Sequence, residues 1–316
     1  MSFYLGIDTS NYTTSTAIYN SKNDEIIQCK KLLPVKNGEL GLRQSDAVFH
    51  HTQQLNALFS ELLQKFSGNI TAIGVSSKPR PCEGSYMPCF TVGLNSAKML
   101  SDALKVPLYT FSHQEGHISA ALYSANKKEL FNKRFLAFHV SGGTTEALMV
   151  SPNNDLGFNI DIVAKTLDLN AGQAIDRVGL MLGCSFPCGK ELEQLALNCN
   201  ENIKVKPALK DCNCCLSGVE NLCEKALKQG KSKEYVAKLC LTYIEKTIFL
   251  MTEKLKEKYG DLPVVYAGGV MSNSIIQKNI SALIDCSFAK SEYSCDNSAG
   301  TSYLAFRKDS HDKSTI

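Results

Sequence analysis

Two stretches of this chain share one shape, and that repetition limits the folds open to it. "YLGIDTSNYTTSTAIYN" (4–20) and "FLAFHVSGGTTEALMVS" (135–151) each begin as an apolar strand, pass a turn of small polar residues and leave as a second, alternating strand. A third strand is expected after each pair, at 26–33 and at 160–165. Repetition over so long an interval means a duplicated domain, because solenoid repeats recur every 20–50 residues or so. A turn of Gly, Ser and Thr lets backbone N–H groups come close to an oxyanion. One such turn is an ordinary hairpin. Two, one in each half, predict a cleft with an anion-cradling loop on either wall.

The remaining segments alternate between the two regular periods. Val48, Leu55, Leu58, Leu62 and Phe66 carry a helical stripe, and "ITAIGVSS" (70–77) reads as a buried strand. A helix is expected over 92–104, a strand over 106–111, and a long helix from an N-cap at Ser232 to about Tyr259. "LPVVYAGGV" (262–270) reads as a strand running into a glycine turn, with a helix from about Asn273 and a last helix from about 297 to 307. The fold class is therefore α/β, with duplicated mixed sheets and helices in the two-lobed arrangement of the actin-like ATPases and sugar kinases, and the active site in the interlobe cleft. Residues 1–133 form the expected N-terminal lobe, onto which a last helix within about 290–307 packs back; 134–289 form the C-terminal lobe, and 308–316 a frayed polar tail.

At 316 residues the chain is long enough for two cores. Its net charge of +3 is too small to announce a nucleic-acid partner, so any RNA binding has to be argued from a site. No basic leader with a long apolar run opens the sequence and no stretch of about twenty apolar residues interrupts it, which predicts a cytoplasmic protein with no membrane association. The 13 cysteines then read as reduced thiols. Cys212, Cys214, Cys215 and Cys223, and the pair Cys184 and Cys188, lack the paired C-x-x-C knuckles of a zinc site, and packing thiols are the reading preferred.

Only six histidines are present, yet "SHQEGHISAAL" (112–122) places His113 and His117 four apart in a run of helix formers. On a helix, both rings then reach one side and could share a metal ion. Glu115 falls off that side, so the H-E-x-x-H arrangement of a metalloprotease, with its glutamate base, is absent.

Taken in order, these motifs resemble the TsaD family, the tRNA threonylcarbamoyladenosine transferases once described as O-sialoglycoprotein endopeptidases or glycoproteases. The resemblance runs from about residue 3 to about 306. The family's G-I-E-T-S stands here as Gly6-Ile7-Asp8-Thr9-Ser10, its H-x-E-G-H as His113 to His117, and its V-S-G-G-H-T as Val140-Ser141-Gly142-Gly143-Thr144-Thr145. "AGQAIDR" (171–177), "FPCGKELE" (186–193) and "LSGV" (216–219) match three further motifs, and "GGVMSN" (268–273) and "DNSA" (296–299) keep theirs intact.

The resemblance implies transfer of a threonylcarbamoyl group from threonylcarbamoyl-AMP to N6 of the tRNA adenosine adjacent to the anticodon. It implies one divalent metal ion, Fe2+ or Zn2+, held by His113, His117 and Asp296, a donor set suited to either ion. Asp8, Thr9 and Ser10 would approach the metal and phosphate, though no catalytic residue is assigned. His139, Val140, Ser141, Gly142 and Gly143 would line the phosphate or carbamoyl end of the donor. Asp176 and Glu193 would hold the ribose hydroxyls, Gly189 would let the nucleoside lie on bare backbone, and Asn273 would bond the base or its phosphate. TsaB-like and TsaE-like accessory proteins are the implied partners, besides tRNA.

Several working loops depart from the family pattern. Ser10-Asn11-Tyr12 replaces an acidic run, Thr144 a histidine, Gln173 a glutamate and Cys188 a glycine. Between Ser77 and Val92 a short glycine–proline turn gives way to "KPRPCEGSYMPCF", with Lys78 and Arg80 among its prolines. These departures leave an alternative open: a diverged carbamoyl or acyl transferase with another acceptor, or a non-catalytic nucleotide-binding paralogue.

Overall fold

Alternating residues of the first strand have different partners because its two faces are covered by different helices. In the computed structural model, which describes residues 2–10, 12–34, 42–294 and 298–315, this strand, β1 (Phe3–Ser10), is buried along its whole length. Its odd residues Phe3, Leu5 and Ile7 join Ile18, Ile73 and Val75 in a core closed by Leu55, Leu58, Leu62 and Ala97 from two helices. Its even residues Tyr4, Gly6 and Asp8 face the other way. Burial on both faces explains why no clean apolar–polar alternation marks the segment.

β1 is the centre of a five-stranded sheet. β2 (Thr13–Asn20) and β3 (Glu25–Leu32) extend it antiparallel on one side. β4 (Ile70–Lys78) and β5 (Leu108–Ser112) extend it parallel on the other, giving the order β3-β2-β1-β4-β5. The helices that close the odd-residue core are α1 (Gln44–Gln64) and α2 (Phe90–Leu104). α3 (His113–Ser124) follows β5 directly, its start fixed by a capping box between Ser112 and Glu115.

A second sheet repeats the plan. β6 (Phe135–Val140) and β7 (Thr145–Pro152) are antiparallel, and β8 (Phe158–Lys165) follows β7. Four helices come next: α4 (Ala171–Leu182), α5 (Gly189–Leu197), α6 (Gly218–Lys228) and α7 (Lys233–Tyr259), with the two-residue pair β9 (Leu209–Lys210) and β10 (Asn213–Cys214) between α5 and α6. β11 (Val264–Ala267), α8 (Ser274–Ser281) and β12 (Ser287–Phe288) complete it, and both late strands run parallel to β6. The order β12-β11-β6-β7-β8 is the first sheet's order read from the other end. Leu136, Phe138, Val140 and Tyr266 pack there with Val178 of α4 and with Ile244, Ile248 and Met251 of α7.

Contacts divide the described chain into two compact units. One holds the chain through Asn132, the short stretch Ser151–Asn159 and the last helix, α9 (Ala299–Thr315); the other holds Lys133–Val150 and Ile160–Ser294. α9 starts later and runs further than the sequence pattern predicts, carrying the polar residues 308–315 in helix. The reason is a contact with the other end of the chain. Asp309 is buried, accepts a hydrogen bond from the Tyr4 hydroxyl at 3.1 Å and pairs with Lys313 at 2.6 Å. The strand and glycine turn expected within 262–270 are both present: β11 ends at Ala267, and Gly268, with φ of +100°, turns the chain into a 3-10 turn over Gly269–Ser272.

Candidate functional site

Asp8, at the end of β1, is fully buried and fully bonded. Its Oδ1 accepts from the Ser10 backbone N–H at 2.8 Å, and its Oδ2 accepts from the Ser76 hydroxyl and lies 2.9 Å from His113 Nδ1. Burial pushes the carboxyl upward, but the charge of His113 and the hydrogen bonds from His113, Ser10 and Ser76 outweigh it and hold Asp8 below the usual carboxylate range. Ser76, on the neighbouring strand β4, carries no motif signal in the sequence. Its role follows from the parallel pairing of β1 with β4, which sets the two chain ends side by side.

His113 and His117 do share one side of α3. Their ring centroids are 4.3 Å apart, and the Phe90 ring stands 6.1 Å from His113. Asp8 on Nδ1 fixes the His113 ring, the arrangement in which a carboxylate orients a metal-binding imidazole. Glu115 is spent elsewhere: Oε2 caps α3 at Ser112, and Oε1 accepts from the Phe158 N–H at 3.3 Å. The Thr9 hydroxyl donates to the Cys89 carbonyl and accepts from the Gly93 N–H, which fixes the start of α2 to the end of β1. The neighbouring Ser10 hydroxyl is buried and has no partner among the described residues. Asp296 lies outside the described residues; among those described, no group of three His, Cys, Asp or Glu is placed to share an ion.

α9 crosses α3 between the two histidines. A Cβ on Gly300 would stand 1.8 Å from the Gly116 carbonyl oxygen, so only glycine allows this approach, and the Ser119 hydroxyl donates to the Gly300 carbonyl at 3.0 Å. A Cβ on Gly6 would meet the Ser298 carbonyl at 2.3 Å, so the start of α9 is seated on β1 as well.

In the other unit, the loop between β6 and β7 is a tight turn. Ser141 N–H donates to the Thr144 carbonyl at 2.7 Å, and Thr144 N–H returns a bond to the Ser141 hydroxyl at 3.1 Å. The start of α4 is held against this turn. Gly172 N–H donates to the Ser141 carbonyl, Ala171 N–H donates to the Thr145 hydroxyl, and a Cβ on Gly172 would collide with the Gly142 backbone. Gly268 lies just as close beneath Val140. Gly142 and Gly143, by contrast, have no described residue within 4 Å of where a side chain would stand, so a ligand can approach their backbone. His139 is half-buried and Val140 fully buried beside them.

Asp176 and Glu193 already hold backbone. Asp176 Oδ1 accepts from the Cys188 N–H at 2.9 Å, which fixes the start of α5, where Gly189 is open to approach. Glu193 Oε1 accepts from Ser274 N–H at 2.7 Å and from the Ser274 hydroxyl. Asn273 caps the same helix, its Oδ1 accepting from the N–H groups of Ile275 and Ile276. Glu193 and Asn273, far apart in sequence, therefore converge on the start of α8. Next to them opens a cavity of about 470 Å³ lined by Ser272, Gln277, Phe288, Lys290 and Glu292, of which Ser272 alone falls within a sequence motif. Asp168, also unmarked, accepts from the backbone of Leu216 and Ser217 and from the Ser217 hydroxyl, pinning the turn of "LSGV". Cys212, Cys214 and Cys223 are buried with the apolar core of this unit.

Comparison with known proteins extends these observations. The model of the family TsaD, tRNA N6-adenosine threonylcarbamoyltransferase, matches residues 37–303. The tRNA N6-adenosine threonylcarbamoyltransferase of Sulfurihydrogenibium sp. (strain YO3AOP1) is 29% identical, over 96% of this chain and 90% of that relative. Among solved structures, full-length HypF in its phosphate- and nucleotide-bound form superposes with a TM-score of 0.58 at 11% identity; the match covers 95% of this chain, which spans only 45% of HypF. Component A of the (R)-2-hydroxyglutaryl-CoA dehydratase of Acidaminococcus fermentans gives 0.56 at 15% identity, over 98% of this chain and 100% of its own. These likenesses show the actin-like ATPase fold that the duplicated pattern predicts. No helix among the described residues is long and apolar enough to cross a membrane.

Proposed function

Because the chain belongs to the TsaD family, we propose that it is a tRNA N6-adenosine threonylcarbamoyltransferase: it moves the threonylcarbamoyl group of threonylcarbamoyl-AMP to N6 of the adenosine next to the anticodon. The single observation that carries this reading is the family match over residues 37–303. In the reaction the adenine amine forms a C–N bond to the carbamoyl carbon, the bond from that carbon to the phosphate oxygen breaks, AMP leaves with the electron pair, and the amine gives up a proton. Phosphate is a good leaving group, so what the protein must supply is alignment and stabilisation of developing negative charge.

The residues present suit those tasks. Open backbone at Gly142 and Gly143 suits oxyanions of the donor, with His139, Val140 and Ser141 shaping the same turn. Gly189 gives the nucleoside a flat approach, Asp176 and Glu193 supply acceptors for the ribose hydroxyls, and the Asn273 amide supplies a donor. The buried Ser10 hydroxyl beside Asp8, without a partner among the described residues, is a further donor for a phosphate or carbonyl oxygen.

His113, His117 and Asp296 would hold one divalent ion, iron or zinc, and the described residues fit it: two facing imidazoles, one aimed by a buried carboxylate. Such an ion supplies Lewis acidity toward carbonyl and phosphate oxygens. Accessory proteins resembling TsaB and TsaE and a cytoplasmic setting belong to the same reading.

The test is transfer in vitro with purified, metal-analysed protein, threonylcarbamoyl-AMP, anticodon-loop RNA and the accessory proteins, run beside His113→Ala. Modified adenosine that falls at least about 100-fold in the variant is expected. No product from a wild-type protein that still binds AMP would overturn the assignment of the acceptor.

A further inference from the structure

The segment between β4 and α2 carries features that the transfer chemistry does not use. It is anchored at both ends. The Pro79 carbonyl accepts from the N–H of Gln114, the residue next to His113, at 3.1 Å. At the far end the Cys89 carbonyl is held by Thr9, Cys89 N–H reaches the Gln44 side chain at 3.3 Å, and Met87 and Cys89 pack against Leu33, Ala47 and Phe90. The tip is closed by Arg80 N–H on the Ser85 hydroxyl, Ser85 N–H on the Cys82 carbonyl, and Gly84 at a φ of +73°.

On this stiff frame Tyr86 leaves its side chain in solvent, 66% exposed. Lys78 stands half-buried at the loop's base and Arg80 exposed near its tip, against a single acid, Glu83. An exposed large ring on a loop that also carries cations is a combination that binds single-stranded nucleic acid: the ring stacks on a base and the cations hold flanking phosphates. One lone ring makes no apolar patch for a protein partner.

We propose that the loop at 78–89 is an RNA-contacting element in which Tyr86 stacks on an unpaired base of the anticodon loop and Lys78 and Arg80 hold its backbone. This rests on the transferase reading and names the residues through which the acceptor strand is gripped beside the histidine pair. It also gives a physical role to the longest departure of this chain from its family's pattern.

The test measures binding of an anticodon stem-loop RNA by the full-length wild-type protein, Tyr86→Ala, Tyr86→Phe and the double variant Lys78→Ala/Arg80→Ala, with AMP binding measured in parallel as a control on the fold. Tyr86→Ala should weaken RNA binding roughly tenfold, Tyr86→Phe less than about twofold, and AMP binding should not move. The double variant should flatten the salt dependence of RNA binding, by roughly 0.7 in the log–log slope for each phosphate that it no longer neutralises. RNA affinity of Tyr86→Ala within twofold of a wild-type protein that binds well would overturn this inference and leave the transferase reading standing. A wild-type protein that does not bind the RNA at all would overturn both.

Discussion

Asp8 shows how much of this site is set by one side chain. It takes its place from β1, its ring partner from α3 and a hydroxyl from β4, so three elements determine where the Nε2 of His113 points. Asp8→Asn preserves volume but weakens the hold on the ring, and the expected result is a roughly 10–100-fold loss of affinity for a divalent metal, read as metal content against a graded chelator. Undiminished retention would show that His113 is aimed by something else. Asp168 permits a prediction in pH. Burial acts to raise its carboxyl, but the Ser217 hydroxyl and the backbone N–H groups of Leu216, Leu169 and Ser217 hold it down at about 2. A folded value below the unfolded one of about 3.9 stabilises the fold fully above that pH, and the contribution drains away as the pH falls toward 2. Because the residue is largely exposed, Asp168→Asn is expected to cost only about 1 kcal/mol at neutral pH, and denaturation curves of variant and wild type should converge between about pH 4 and pH 2. A gap that stays constant over that range would mean that the charge of Asp168 does not matter.

Between elements, the crossing of α9 over α3 is the approach with the least tolerance. Gly300→Ala places a methyl where the Gly116 carbonyl already stands, with no flexible side chain to give way. Overpacking of that kind is expected to cost about 1–3 kcal/mol or more, visible as an earlier urea midpoint with an unchanged slope, whereas Gly143→Ala, in open space, should be nearly neutral. Equal effects from the two would contradict the close approach. Such crossings mark the limit of what a sequence discloses. The paired sheets, the Ser232 cap and the end of α7 at Tyr259 are legible because they depend on local period and local caps. The extension of α9 to Thr315 is not, because a buried Asp309 met by Tyr4 at the other end of the chain looks, in sequence, like solvated tail. Nor can a sequence show that Glu193 and Asn273 meet at the start of α8, or that the Thr9 hydroxyl is taken by Cys89. The motif pattern names side chains; the partners of each depend on which distant backbone the fold brings near.

Across the whole chain, 34 lysines and arginines are nearly balanced by 31 acids, so tRNA cannot be held by a diffuse positive field. Recognition has to be local, made of a few cations near the site and of stacking, which salt scarcely touches. The salt dependence of RNA binding separates these alternatives. For a single strand, each neutralised phosphate contributes about −0.7 to the slope of log affinity against log salt. With Lys78 and Arg80 as the principal phosphate-binding cations, the expected slope is shallow, about −1.5, and it should approach zero in the double alanine variant. A slope steeper than about −5 would require roughly seven neutralised phosphates and therefore a broad basic face assembled from residues elsewhere on the chain. A shallow slope with Tyr86→Ala still weakening binding at high salt would place most of the acceptor affinity in stacking. The chain would then need no basic surface to act on tRNA, and its near-neutral charge would be compatible with that substrate.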